Sequence, residues 1–227
     1  MPHDHNDDNP HDHDHGHDHF RHEGMSPSGH PYRPADDQPL TYWQRMEIAV
    51  RELLVEKGIT TAAEINAQIE RMDARTPALG ASVVAHAWDD PAFKQRLLAD
   101  GSAAIEEMGI AADGMKMVVV ENTDEVHNVV VCTLCSCYPR NVLGLPPDWY
   151  KTRAYRARTV KEPRAVLREF GLELPEGIRV QVHDSTADMR YLVLPRRPEG
   201  TEGWGQEALA GIVTRDCMIG VAVPQPD

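Results

Sequence analysis

Three of the four cysteines, Cys132, Cys135 and Cys137, fall within six residues, directly behind the apolar run Val129-Val130-Val131. A run of this kind reads as a buried strand, so the strand must end at Cys132 and release the chain into a tight loop where three sulfurs converge. Four cysteines are too few for a disulfide scaffold in 227 residues. Their crowding points to metal or redox chemistry in a reducing compartment. Cys217 stands apart in the apolar run Cys217-Met218-Ile219-Gly220-Val221-Ala222-Val223 and reads as a buried, inert thiol.

The spacing narrows the choice of metal. A structural zinc site uses four ligands, usually two pairs separated by a longer loop, and this chain offers no second pair. Zinc would have to recruit His127 or a remote histidine. The short spacing also allows backbone nitrogens between the sulfurs to act as ligands, since Cys135 and Cys137 would hold the amides of Ser136 and Cys137 beside the ion. Amide nitrogen ionises only next to a strongly polarising metal, which favours a trivalent ion over zinc. Three sulfurs and two nitrogens leave a sixth octahedral position for water, hydroxide or substrate, as a metal hydrolase or hydratase requires.

Around this loop the chain changes texture twice. Residues 1–39 hold nine of the twelve histidines and nine acids against two arginines, with His and Asp alternating from His11 to His19 and almost no aliphatic side chains. Such a segment is expected to be disordered, and it offers imidazole and carboxylate ligands to divalent cobalt, nickel or zinc. From Leu40 to Gly109 the periodicity is helical, with Trp43, Met46, Val50, Leu53 and Leu54 forming one stripe that stops at Gly58. Thr61 and Glu64 suit a capping box, a third helix is expected over Ala81 to Trp88, and Asp90-Pro91 opens a fourth. His86, among Val84, Ala85, Ala87 and Trp88, reads as a structural histidine. Beyond Gly114 strands are expected at Met117 to Val120, Val129 to Val131, Ile178 to His183, Tyr191 to Leu194 and Met218 to Val223, with helices near Pro163 to Phe170 and Gln206 to Val213.

The expectation is an α+β fold in three parts: a disordered His/Asp-rich tail over residues 1–39, a helical arm and helical layer over 40–113, and a metal-binding domain over 114–227. The net charge of −13 argues against a nucleic-acid partner. The longest apolar run, Met117 to Val120, is far shorter than a membrane span, and no leader-like segment opens the chain, so a soluble cytoplasmic protein is expected. Neither a Gly-rich phosphate loop nor a serine nucleophile elbow is present.

Cys132-Thr133-Leu134-Cys135-Ser136-Cys137 resembles the metal claw of the nitrile hydratase α subunit. The resemblance continues through Glu121-Asn122-Thr123, His127-Asn128, Val142-Leu143-Gly144-Leu145-Pro146-Pro147, Trp149-Tyr150-Lys151, Glu162-Pro163-Arg164, Arg190-Tyr191, Gly200-Thr201-Glu202-Gly203-Trp204 and Val213-Thr214-Arg215-Asp216, over residues 40–224. It implies the layered fold of that α chain and a hydro-lyase that turns a small nitrile into its amide. It also implies metal ligation by the sulfurs of Cys132, Cys135 and Cys137 and the amides of Ser136 and Cys137, with Cys135 oxidised to sulfinic and Cys137 to sulfenic acid. Thr133 and Tyr138 resemble the branch with non-corrin cobalt(III), because the iron(III) branch typically has Ser and Thr there. Arg190 matches an arginine near the metal and the subunit interface.

The implied partners are a β subunit that supplies further arginines and an activator or metallochaperone that inserts cobalt. The metal-binding γ subunit of thiocyanate hydrolase carries the same claw, and Arg140, where Trp usually follows Cys-Tyr-Pro, departs toward it, since arginine suits an anionic substrate. A third reading, of another class, is a non-enzymatic metal carrier.

Overall fold

The computed structural model describes residues 39–135 and 137–226. The tail expected over residues 1–39 lies outside them, apart from Pro39.

Polar caps set out the first helices. Thr41 and Thr61 accept from the backbone N–H of Gln44 and Glu64, whose side chains return to the caps' own N–H groups, so α1 (Tyr42–Glu56) and α2 (Ala62–Asp73) both begin in capping boxes. The second box is the one expected from Thr61 and Glu64. Neither helix buries a residue. The stripe of α1 is helical as expected, yet Trp43 is 76% exposed, and Met46, Val50 and Leu53 also face outward. Three further helices pack into the core: α3 (Pro77–Asp89), α4 (Pro91–Ala99) and α5 (Gly101–Glu107). Asp90 accepts from the N–H groups of Ala92 and Phe93, with Pro91 in the first turn, and Asp100 accepts from Ala103. His86 is half-buried, with Gln206 at its Nδ1 and its ring tilted against that of Phe93 at 4.4 Å, which fits the structural reading.

β1 (Lys116–Glu121) and β2 (Val126–Val131) follow, then the short helices α6 (Arg140–Leu143) and α7 (Asp148–Lys151), then α8 (Arg153–Lys161) and α9 (Pro163–Glu169). β3 (Arg179–Asp184), β4 (Met189–Leu194), α10 (Gln206–Gly211) and α11 (Arg215–Ile219) complete the described fold. The strands pair in parallel, β1 with β4 and β2 with β3. Parallel pairs need long crossovers and bury both faces, which explains the unbroken apolar run of β2. The β2–β3 register sets Val131 opposite Asp184 and so brings a carboxylate to the mouth of the cysteine loop.

One expected strand is absent. Met218 to Val223 is not extended: Thr214 accepts from the N–H of Cys217, α11 runs from Arg215 to Ile219, and Gly220 ends it with φ of 91°. The run is buried from Cys217 to Val221 and carries no period of its own, so its caps decide its conformation. Cys217 is buried as expected, but on this helix. Gly220 is required by more than its φ, because a Cβ there would meet the Asn128 carbonyl on β2.

The Gly220 carbonyl lies 2.7 Å from Nε2 of buried His127, whose Nδ1 faces the Asn122 amide. Burial lowers the pKa of His127, against the opposing pull of the Gly220 carbonyl. The unfolded chain therefore binds a proton that the folded chain does not, and stability rises with pH between the lowered folded value and about 6.5. Half-buried His183, lowered for the same reason, acts in the same direction. Urea midpoints are expected to fall between pH 7 and pH 5.5, with each histidine contributing at most about 1.4 kcal/mol per pH unit. A shallower slope in His127→Gln assigns its share; an unchanged slope would place the effect elsewhere.

Candidate metal centre

The cysteine loop is held in shape by its neighbours. Asp184, at the end of β3, accepts the Thr133 N–H at 2.9 Å and the Thr133 hydroxyl at 2.5 Å. On α8, Arg156 donates to the carbonyls of Cys132 and Thr133 at 3.0 and 2.7 Å. The Tyr150 hydroxyl donates to the Cys137 carbonyl at 2.8 Å, and Tyr155 to the Val130 carbonyl at 2.7 Å. The backbone is thus tied at both ends of the loop, which leaves the sulfurs to face one another.

The Sγ atoms of Cys132 and Cys135 are 3.5 Å apart, those of Cys135 and Cys137 are 3.1 Å apart, and all three lie within 4.8 Å of one another. With metal–sulfur bonds of about 2.3 Å, neighbouring sulfurs sit about 3.3 Å apart on an octahedron and about 3.8 Å apart on a tetrahedron. The observed spacings bracket the octahedral edge. His127 is engaged with Asn122 and Gly220, and the described cluster contains cysteines alone, so the four-ligand zinc reading gains no support. The amide contribution expected of Ser136 lies outside the described residues.

The sulfurs also disfavour negative charge on one another. Burial, with the Cys135 and Cys132 sulfurs beside it, pushes the Cys137 thiol up to about 12, while the Arg190 charge pulls the other way. Three thiolates in this space need a bound positive ion to be stable at neutral pH. Cys132 and Cys137 are buried and Cys135 is exposed, with Leu134 at the tip 83% exposed.

A cleft of about 530 Å³ opens over two of the sulfurs and gathers Cys135, Cys137, Tyr138, Arg140 and Arg190 on its walls. Five residues singled out in the sequence therefore share one cavity. Tyr138 is almost wholly buried, its ring edge-on to Tyr150 at 5.1 Å, and burial holds its hydroxyl proton firmly. Half-buried Arg190 donates to the Thr186 and Met189 carbonyls and makes no ion pair among the described residues, unlike the surface salt bridge that such an arginine commonly forms. Thr133 turns away from the cleft toward Asp184.

The sequence reading missed Asp184 and Arg156, which shape the loop, and the cleft residues Arg75, Asp113 and Asn141. Arg75 pairs with Asp113, whose φ of 52° is unusual for a non-glycine residue, and Asn141 donates to the Ala111 carbonyl at 2.5 Å. The Asp113-Gly114 pair, a turn signal at the helix-to-strand change that the sequence reading passed over, is the feature that could have pointed to this rim.

Three cysteine sulfurs gathered within 4.8 Å of one another beside an arginine-rimmed cleft are the layout of a claw-type metal site. The family model described as nitrile hydratase, alpha chain, matches residues 41–222. The chain is 54% identical over 176 residues to the cobalt-containing nitrile hydratase subunit alpha of Pseudonocardia thermophila, spanning 76% of this chain and 86% of that one. It is 44% identical over 193 residues to the thiocyanate hydrolase subunit gamma of Thiobacillus thioparus, spanning 80% and 79%. A solved Fe-type nitrile hydratase from Comamonas testosteroni Ni1 matches with a TM-score of 0.77 at 44% identity, over 82% of this chain and 92% of that one. The chain belongs to the nitrile hydratase alpha-chain family, and its mixed helix-and-strand fold is the family's.

Proposed function

We propose that this chain is the metal-carrying subunit of an enzyme that hydrates nitriles to amides, with non-corrin cobalt(III) held by the sulfurs of Cys132, Cys135 and Cys137 and the backbone nitrogens of Ser136 and Cys137. The observation that carries this reading is the sulfur spacing of 3.1 and 3.5 Å at the base of an open cleft. When bound, the ion supplies Lewis acidity toward the nitrile nitrogen, which makes the nitrile carbon electrophilic. The chain's own residues do the remainder. Cys132 anchors the claw; Cys135 as sulfinic and Cys137 as sulfenic acid carry oxygens into the cleft, on different rungs of the oxidation ladder. The Cys137 oxygen either attacks the nitrile carbon, after which a water breaks the new linkage, releases the amide and restores the sulfenate, or orients the water that attacks. Addition of one water across the C≡N bond leaves the amide, and no ammonia is released.

Cobalt is favoured by Thr133 and Tyr138 and by the cobalt-containing relative, with iron the lesser alternative in view of the Fe-type neighbour. The reading includes a β subunit, an activator for cobalt insertion and a cytoplasmic location; no described helix is long and apolar enough to cross a membrane. In this scheme the 1–39 tail captures metal, the 40–113 segment supplies arm and helical layer, and 114–227 carries the chemistry.

A second reading, thiocyanate hydrolysis, is favoured by one observation: Arg140 lines the same cleft as Cys135 and Cys137 and could meet an anion there. The test compares kcat/KM for acrylonitrile and thiocyanate on the cobalt-loaded complex, with Arg140→Trp alongside. Acrylonitrile is expected to be the better substrate in both forms. Thiocyanate turnover more than tenfold faster in the wild type, collapsing in Arg140→Trp, would overturn the nitrile assignment. Full metal loading with a partner and no turnover of either substrate would leave the metal-carrier reading.

A further inference from the structure

α8 carries four basic side chains and no acid in nine residues. Arg158 is taken up by Glu162 and Glu169. Arg153, Arg156, Ala157, Val160 and Lys161 recur at the i, i+3, i+4, i+7, i+8 spacing of one helical face. With Thr133 of the claw they line a shallow groove of about 450 Å³. Arg153 and Lys161 are exposed and make no ion pair among the described residues, Val160 is exposed, and Arg156 reaches the loop carbonyls. A positive, partly apolar strip thus touches the claw on a chain whose net charge is −13.

The matching acid is in the same chain. Residues 1–38 hold eight Asp and one Glu against two Arg, interleaved with nine His. A segment of that length can reach roughly 125 Å when extended, several times the roughly 16 Å radius of gyration of a domain this size, so reach does not limit where it lands. We propose that the basic face of α8 is the docking surface of the chain's own N-terminal His/Asp segment, which is thereby held beside Thr133 so that a divalent metal ion it captures is released next to the claw sulfurs. Tethering makes the encounter intramolecular, at effective concentrations of order millimolar. The docking rests on charge and position alone; its purpose rests on the metal reading of the claw.

The test uses the full-length chain before assembly with a second subunit. Carbodiimide at low salt joins a carboxylate directly to a lysine amine, and peptide mapping locates the bond. Tail acids are expected to couple to Lys161 at least fivefold more than to exposed Lys57 or Lys116. Arg153→Glu, on an exposed site where an acid also suits the helix start, should erase that preference, as should high salt. Even coupling across the lysines would overturn the docking, and so would coupling of Lys161 to a second copy, identified by mixing isotope-labelled and unlabelled chains. Coupling of Lys161 chiefly to the second subunit when that chain is present during tail binding would also count against it.

Cobalt uptake, followed by thiolate-to-metal absorption, reads the second half. Arg153→Glu and deletion of residues 2–38 should each slow uptake severalfold, and the combination no further, because both remove one interaction. Crosslinks with unchanged uptake would overturn the hand-over. Failure of every form to take up cobalt would instead sink the metal reading of the claw, while the crosslinks still decide the docking.

Discussion

Cys135→Ala is expected to lower cobalt per chain at least tenfold and nitrile hydration to background, while the metal-free chain keeps its stability. Cys135 is the exposed member of the trio, so removing its sulfur opens no cavity in the core. Surface substitutions of this kind usually change stability by no more than about 0.5 kcal/mol. Cys132 and Cys137 are buried, and their alanine variants would mix packing losses with lost ligation. In Cys135→Ala a fall in metal content therefore reports ligation itself. Elemental analysis of natively matured protein, with peptide mapping for two oxygens on Cys135 and one on Cys137, decides the matter. Normal cobalt in the variant would remove Cys135 from the ligand set, and stoichiometric zinc in the wild type, without cobalt or iron, would end the catalytic reading.

The claw was legible in the sequence because its signal is local: three sulfurs within six residues can meet around one ion without help from the rest of the fold. Helix starts were legible for a related reason, since Thr61 with Glu64 and Asp90 with Pro91 satisfy backbone donors within one turn. Residues that shape the claw from a distance were not. Asp184 stands 51 positions from Thr133 and arrives only through the parallel β2–β3 register, which strand composition cannot specify. α8 escaped notice because it buries only Tyr155 and Thr159, too narrow a stripe to stand out among its charges. The misread strand at Met218 failed differently. Thr214 and Gly220 were present as cap and stop on either side of a short helix, but the hydrophobic run between them outweighed the punctuation.

The isolated chain is expected to hydrate nitriles at no more than background rates, and addition of its β subunit to restore turnover by orders of magnitude. Two surfaces are incomplete in the single chain. Along α1 and α2, Trp43, Met46, Val50, Leu53, Ile69 and Met72 stand exposed on helices that bury nothing. Covering each such side chain is worth up to about 1.5–3 kcal/mol, so a partner surface here gains much from association. At the claw, Leu134 and Cys135 face outward, while Arg156 is committed to the loop carbonyls and Arg190 to those of Thr186 and Met189. Exposed Arg140 is the cleft's one arginine without an ion pair or backbone commitment among the described residues. If Cys135 and Cys137 carry negative oxygens as proposed, further cations would have to come from another chain, and the loss of such supporting contacts typically costs 10–100-fold in metal affinity or activity. Hydrogen exchange should report the assembly directly, with amides of residues 42–73 becoming protected on addition of the partner while β2 is protected throughout. Full turnover by a verified monomer would show that the pocket is complete in one chain, and turnover restored without protection of residues 42–73 would separate the arm from the active site.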